Sequence, residues 1–274
     1  MALRCRWPRV IRVRLSFVYP RRALNASYVY TPASNGRVTL ELGGKSPTIL
    51  LDDAVLDQAI PSALVMAFLN SGQACAAGTR LLVPKRRVDQ VKQAIIGAMP
   101  AFPVGHPADP KTAIGPMVSQ KQYEQVQSYI RKGIEEGAEV LVGGLGHPKG
   151  LEAGYFVKPT VFINVTNDMT IAQEEIFGPV LSVIAYESED QAIRIANDSE
   201  YGLHAAVLGT DVQRARGIAS QIRSGRVVIN NMTDDPQAPW GDSNTPALAV
   251  NMAATESRRF SNHEPSWSNR FCRP

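Results

Sequence analysis

A cysteine, Cys75, stands among small residues in the stretch SGQACAAGTR, between an apolar segment and a short β-branched run. A thiol presented in such a turn can act as a nucleophile, because the thiolate is the reactive form and small neighbours leave the sulfur accessible. The plainer alternative is a small buried hydrophobe, and the stretch alone does not choose between them. A second candidate is Glu41 in VTLELGGKSP, an acid that interrupts a strand-like run just before paired glycines. Apolar surroundings would raise its pKa and let it take a proton from water or from a thiol near neutral pH. A surface glutamate at a strand end is the plainer reading.

The third candidate is AQEEIFGPVLSV, where Glu174 and Glu175 precede a Phe-Gly-Pro turn and a buried strand. A carboxylate there can bind ribose hydroxyls while the ring of Phe177 packs on a flat heterocycle; turn chemistry with a core phenylalanine is the alternative. The histidines, His106, His147, His204 and His263, show no paired spacing with one another or with Cys5, Cys75 and Cys272. A metal site or a Cys-His dyad therefore has no support, and no metal is expected. LNSGQ also lacks the G-x-S-x-G context of a hydrolase serine.

The elements that must carry these residues follow from the pattern of the chain. From Val38 onward, short β-branched runs alternate with helical stretches. PTILL, TRLLVP, PTVFI, VLSVIAY, HAAVLG and RVVIN read as strands, and residues 56–69, 88–99, 120–136, 190–197 and 211–222 as helices. In the longest of these, Tyr123, Val126, Ile130 and Ile134 recur at three and four and predict one apolar stripe. The alternation predicts an α/β fold with a largely parallel sheet flanked by helices. GGLGHPKGLEAGY reads as a surface hairpin or loop, and FGP as a turn into a strand.

At 274 residues and 44% hydrophobic content the chain can bury a sizeable core. It holds no run near the roughly 18 apolar residues of a membrane span, so no membrane partner is expected. The net charge of +4 is uneven: Arg4, Arg6, Arg9, Arg12, Arg14, Arg21, Arg22 and Arg37 lie in an acid-free segment, and removing those eight from 29 Lys+Arg leaves 21 against 25 Asp+Glu. Such an arm suits nucleic acid or a transit peptide. The body has no basic stripe with interleaved aromatics, and Trp7, Pro8 and Pro20 interrupt any amphipathic helix, so neither is expected. Three widely spaced cysteines suggest no disulfide framework and point to the cytoplasm.

ELGGKSP, then GQACAAGTR, then EEIFGPV resemble, in order and spacing, the aldehyde dehydrogenase superfamily. The resemblance extends through GPMVS, GYFVKPTV, ANDSEYGLHAAV and GRVVINN, from about Val38 to Gly241. It implies that Cys75 is the nucleophile and Glu41 the general base, that Glu175 meets the nicotinamide ribose and that Phe177 lies against the nicotinamide region. It further implies NAD or NADP as cofactor, a small-molecule aldehyde as substrate, a thiohemiacetal and a thioester as intermediates, and a homo-oligomer.

The chain also departs from that family. Family chains are roughly twice as long, and no FTGS-like phosphate loop precedes VTLELGG, so the cofactor site is expected to be incomplete. An inactive remnant and a residual thiol esterase are the alternatives. Three regions are expected: an atypical Arg-rich segment (1–36), a catalytic domain (37–241) and an atypical tail (242–274). The tail reads as a shifted frame: with permitted codons, one base inserted after the Gly241 codon yields G-F-K-Y-S-G-I-G-R-E, close to the family pattern after PWG. The gene's own nucleotides test this. Loss of the normal tail would uncover apolar surface and lower solubility.

Overall fold

The computed structural model describes residues 43–230. Glu41, the segment 1–36 and the tail 242–274 lie outside the described residues, as do the ends of the 37–241 region. The apolar runs form a seven-stranded sheet: β1 (Pro47–Leu50), β2 (Arg80–Pro84), β3 (Glu139–Val142), β4 (Thr160–Ile163), β5 (Val180–Tyr186), β6 (His204–Leu208) and β7 (Arg226–Ile229), in the order β3-β4-β5-β2-β1-β6-β7. All neighbouring pairs are parallel except β3 with β4.

Parallel neighbours require crossovers, and helices supply them: α1 (Leu56–Phe68), α2 (Val88–Ala98), α3 (Gln120–Glu135), α4 (Thr170–Gln173), α5 (Glu189–Asn197) and α6 (Val212–Ala219). β1 and β2 are buried along their whole length, which is why they read as unbroken apolar runs rather than alternating ones. Successive side chains go to opposite faces. Leu50, Leu81, Val83, Leu181 and Val183 pack with Ile60, Leu64 and Phe68 of α1 and Ile95 of α2. Ile49, Leu51, Leu82 and Val207 pack with Ala192 of α5 and Ile218 of α6, while Phe162, Val180 and Ile184 meet Val126 and Ile130 of α3. The fold is therefore α/β, with a largely parallel sheet covered on both faces.

Two elements add to the sequence reading. Strand β3 is a short, half-exposed edge strand whose antiparallel pairing with β4 makes residues 143–159, which include the GGLGHPKGLEAGY stretch, the loop of a hairpin, and α4 is a single turn. β3 is as long as β1 but none of its residues is buried, and α4 is too short to show a helical period. The stripe on α3 is also displaced: Val126 and Ile130 are fully buried and Tyr129 nearly so, whereas Ile134 is 44% exposed. Gly133 lies on the packed side instead, where a Cβ would meet Ile171 and Phe162. Among the described residues no helix is long and apolar enough to cross a membrane.

Candidate active site

Three loops enter three adjacent strands: residues 43–46 lead into β1, 74–79 into β2 and 174–179 into β5. The strand order β5-β2-β1 brings their tips together although Gly44 and Glu175 are 131 residues apart in sequence. The site thus lies at the amino edge of the sheet, opposite the carboxyl edge where open α/β sheets usually hold ligands.

The cysteine loop is built with backbone strain. Beyond α1, Asn70, Ser71 and Gly72 are all left-handed, with φ of 49°, 60° and 71°. Such a conformation is costly for the two non-glycine residues and persists only where neighbours fix it. Residues 115–119 do so as a strap: the Gly115 N–H donates to Ser71 Oγ at 2.9 Å and the Val118 N–H to Gln73 Oε1 at 2.9 Å. Gln73 Nε2 in turn donates to the Pro116 carbonyl at 3.4 Å. Cys75, a half-buried thiol, then occupies the turn closed by the Ala77 N–H on the Ala74 carbonyl at 3.1 Å. Leaving that turn, the Gly78 N–H bonds the Met66 carbonyl at 3.1 Å and the Arg80 N–H bonds the Ser46 carbonyl at 3.3 Å, tying the loop to both α1 and the entry of β1.

Gly43 and Gly44 form the hub of the site. A methyl group on Gly44 would overlap the Cys75 carbonyl oxygen, and one on Gly43, whose φ is +87°, would overlap the Glu175 carboxylate. The Gly44 N–H donates to Glu175 Oε1 at 2.9 Å. The adjoining acid is turned elsewhere, since Glu174 Oε2 accepts from the Tyr129 hydroxyl at 2.8 Å. Burial raises the Glu175 carboxyl above the ordinary glutamate range, opposed by the Gly44 N–H and by the charge of Lys45.

Phe177 stands at the corner of the third loop with a left-handed φ of 56° and its ring 36% exposed. Gln122, in the first turn of α3, holds that corner by donating its side-chain amide to the Phe177 carbonyl at 2.8 Å and the Ile176 carbonyl at 3.1 Å. Gln122 was not singled out by the sequence reading, since a glutamine near a helix start looks like an ordinary capping residue.

Two basic residues were missed as well. Arg80 is 1% exposed and spends its guanidinium on the carbonyls of Lys45, Ile195 and Ala196 at 2.9–3.0 Å and on Asn167 Oδ1 at 3.1 Å. Lys45 is equally buried, and burial followed by the charge of Arg80 pulls its pKa down to about 7. The available signal was position: Lys45 lies two residues before one fully buried strand and Arg80 begins another. Among the described residues, no group of three His, Cys, Asp or Glu side chains is arranged to hold a metal ion.

The structure thus gathers Cys75, Glu175 and Phe177 at one edge. Comparison with known proteins bears on the family of the chain. The profile of the aldehyde dehydrogenase family matches residues 26–244. A Staphylococcus haemolyticus relative that bears the aldehyde dehydrogenase name is 50% identical over 205 residues, covering 75% of this chain and 43% of its own length. Among solved structures, Mycobacterium tuberculosis aldehyde dehydrogenase complexed with NAD+ is similar at 49% identity and a TM-score of 0.75, over 78% of this chain and 44% of that one. Aldehyde dehydrogenase C of Pseudomonas syringae, a cysteine-to-alanine mutant complexed with NAD+ and octanal, is similar at 43% identity and a TM-score of 0.77, over 81% and 46%. The chain spans less than half the length of the relatives it matches.

Proposed function

This chain belongs to the aldehyde dehydrogenase family, and from that premise we propose that it carries the thiol chemistry of an NAD(P)-dependent oxidation of a small-molecule aldehyde to a carboxylic acid. The observation that supports the reading is the convergence of the Cys75 turn, the Gly43–Gly44 pair and the Glu175–Phe177 corner on three adjacent strand entries.

In this reading the Cys75 thiolate attacks the aldehyde carbon, forming a C–S bond and leaving a tetrahedral oxyanion. When bound, NAD(P)+ supplies the acceptor for the hydride whose departure from that carbon leaves a thioester on Cys75. Glu41 takes a proton from water, the hydroxide adds to the thioester, the C–S bond breaks, and the carboxylic acid and the thiolate separate. The described residues fit the nicotinamide-ribose end of such a cofactor: a half-buried carboxylate, a partly exposed phenylalanine and a glycine, Gly43, that leaves room for the carboxylate. Glu175 would hold the ribose and Phe177 the nicotinamide side.

A second reading, a thiol esterase, rests on the half-buried Cys75 thiol alone, because acylation of Cys75 and hydrolysis need no hydride acceptor. One experiment separates the two. The purified chain is mixed with an aldehyde and NAD+ or NADP+, and separately with an activated phenyl ester, with C75A beside it. Reduced nucleotide that requires Cys75 supports the dehydrogenase. Ester cleavage alone, lost in C75A, supports the esterase, and neither would leave only a remnant of the family fold.

A further inference from the structure

Lys45 follows the glycine pair and leads into β1. It is 1% exposed, yet its Nζ has no hydrogen-bond partner among the described residues. Space-filling is a poor account of such a residue, because a methionine would occupy the same volume without the cost of burying an unbonded ammonium. Arg80 beside it shows the contrast, with its guanidinium fully engaged by backbone carbonyls and Asn167.

The charged and titratable groups that face Lys45 come from three sides. Glu175 and Glu174 approach from the loop into β5 and favour its charged form, and Arg80 on β2 opposes it. Tyr201, His204 and Arg223 line the small cleft that Lys45 shares with Ser46 and Ser224. Burial dominates, so the lysine changes charge near pH 7 rather than in the ordinary lysine range. The nearby carboxylate is fastened one residue away, by the Gly44 N–H on Glu175 Oε1 at 2.9 Å. Carboxylate and ammonium therefore hang on the same short turn.

We propose that Lys45 is a positioning residue for Glu175: its buried ammonium, engaged by no hydrogen bond among the described residues, holds the Glu175 carboxylate ionised against the Gly43–Gly44 pair, ready to accept from vicinal hydroxyls such as those of a cofactor ribose. Only that last consequence rests on the dehydrogenase reading.

The test is a pH titration of the full chain by carbon NMR, with the Glu carboxyl and Lys ε-carbons labelled, in wild type, K45M, K45R and E175Q. In K45M the Glu175 midpoint should rise by about one pH unit, and in K45R it should return toward wild type. In E175Q the Lys45 midpoint should fall by a similar amount, since a charge that favoured the ammonium has gone. Midpoints that stay put in both K45M and E175Q overturn the proposal, and if K45M does not fold, the E175Q and K45R titrations decide it alone. NAD+ binding to the same samples is followed separately by thermal shift. Coupled midpoints without nucleotide binding would sink the ribose reading and leave the Lys45–Glu175 pair standing.

Discussion

The Gly44 amide donates to Glu175 Oε1 at 2.9 Å, and on the same glycine the space a methyl group would need is already filled by the Cys75 carbonyl. One residue without a side chain thus sets the separation between the thiol loop and the acid loop. Substitution G44A should push the two loops apart and cost about 1–3 kcal/mol, the usual range for overpacking. Gly97 in α2 has open space around its Cβ position, so G97A should instead stabilise by roughly 0.5–1 kcal/mol. Urea unfolding of the pair measures both. Labelling of Cys75 by a thiol reagent should change in G44A and not in G97A; equal behaviour of the two variants would remove the glycine from the site.

The two adjacent acids are predicted to separate by role. Glu174 is bound to Tyr129, and Glu175 faces the glycine pair with its carboxyl raised by burial. Because its folded pKa lies above the unfolded one, Glu175 favours folding at low pH, and that contribution is lost as pH rises through the raised value. E175Q should abolish this loss, making the variant at least as stable as wild type at neutral pH while removing any stabilisation by NAD+. E174A, which removes the acceptor of the Tyr129 hydroxyl, should lose about 1 kcal/mol and keep the response to nucleotide, whereas E174Q retains an amide oxygen that can accept and should lose less. Thermal unfolding against pH, with and without NAD+, checks the assignment, and a nucleotide response that vanishes in E174A but survives in E175Q would reverse it.

Gln122 is predicted to act on Phe177 at a distance from the ring. Its amide satisfies two carbonyls around a left-handed corner, one exposed and one partly buried, so Q122A should cost about 0.5–1.5 kcal/mol. The corner would then relax toward ordinary backbone angles, swinging the exposed ring away from its present place. Quenching of a tryptophan introduced as F177W reports the movement. An unchanged quenching profile on adding Q122A would show that the corner is held by other means.

The strands and the longer helices were legible in the sequence because each is a run of the right length with a clear apolar period. The site was legible only through resemblance. Periodicity shows that Cys75, Glu175 and Phe177 each precede a strand, but it contains nothing about strand order, and order is what makes β1, β2 and β5 neighbours. Gln122, Lys45 and Arg80 stayed hidden for another reason. Charged and amide side chains are read as surface by composition; the Ile195 and Ala196 carbonyls that hold Arg80 and the Ile176 and Phe177 carbonyls that hold Gln122 are remote in sequence, and the Lys45 Nζ is buried without a hydrogen bond among the described residues.

Arg80 is predicted to be irreplaceable by lysine. Its planar fork reaches the carbonyls of Lys45, Ile195 and Ala196 together, whereas a lysine would present a point charge on a shorter stem. R80K should therefore leave buried carbonyls without donors and cost at least about 3 kcal/mol. R80M should behave no better than R80K. Denaturant midpoints of the two variants give the answer, and a stable R80K would mean that charge rather than geometry is what the site requires.

Lys45 makes the clearest prediction about pH. Its pKa falls from 10.5 in the unfolded chain to about 7 in the fold, so between those values the unfolded chain holds a proton that the folded one lacks. Stability should then rise with pH across that window, by up to about 1.4 kcal/mol per pH unit from this group. The contribution is fully present above the unfolded value and lost as pH falls through 7. Other groups titrate too, so the quantity to follow is the difference between wild type and K45M in urea unfolding from pH 6 to 10. K45M should be the more stable protein at pH 6, and the gap should close as pH rises. A gap that stays constant with pH would place the lysine's proton in the fold as firmly as in water, and the buried charge would need a partner that its surroundings do not provide.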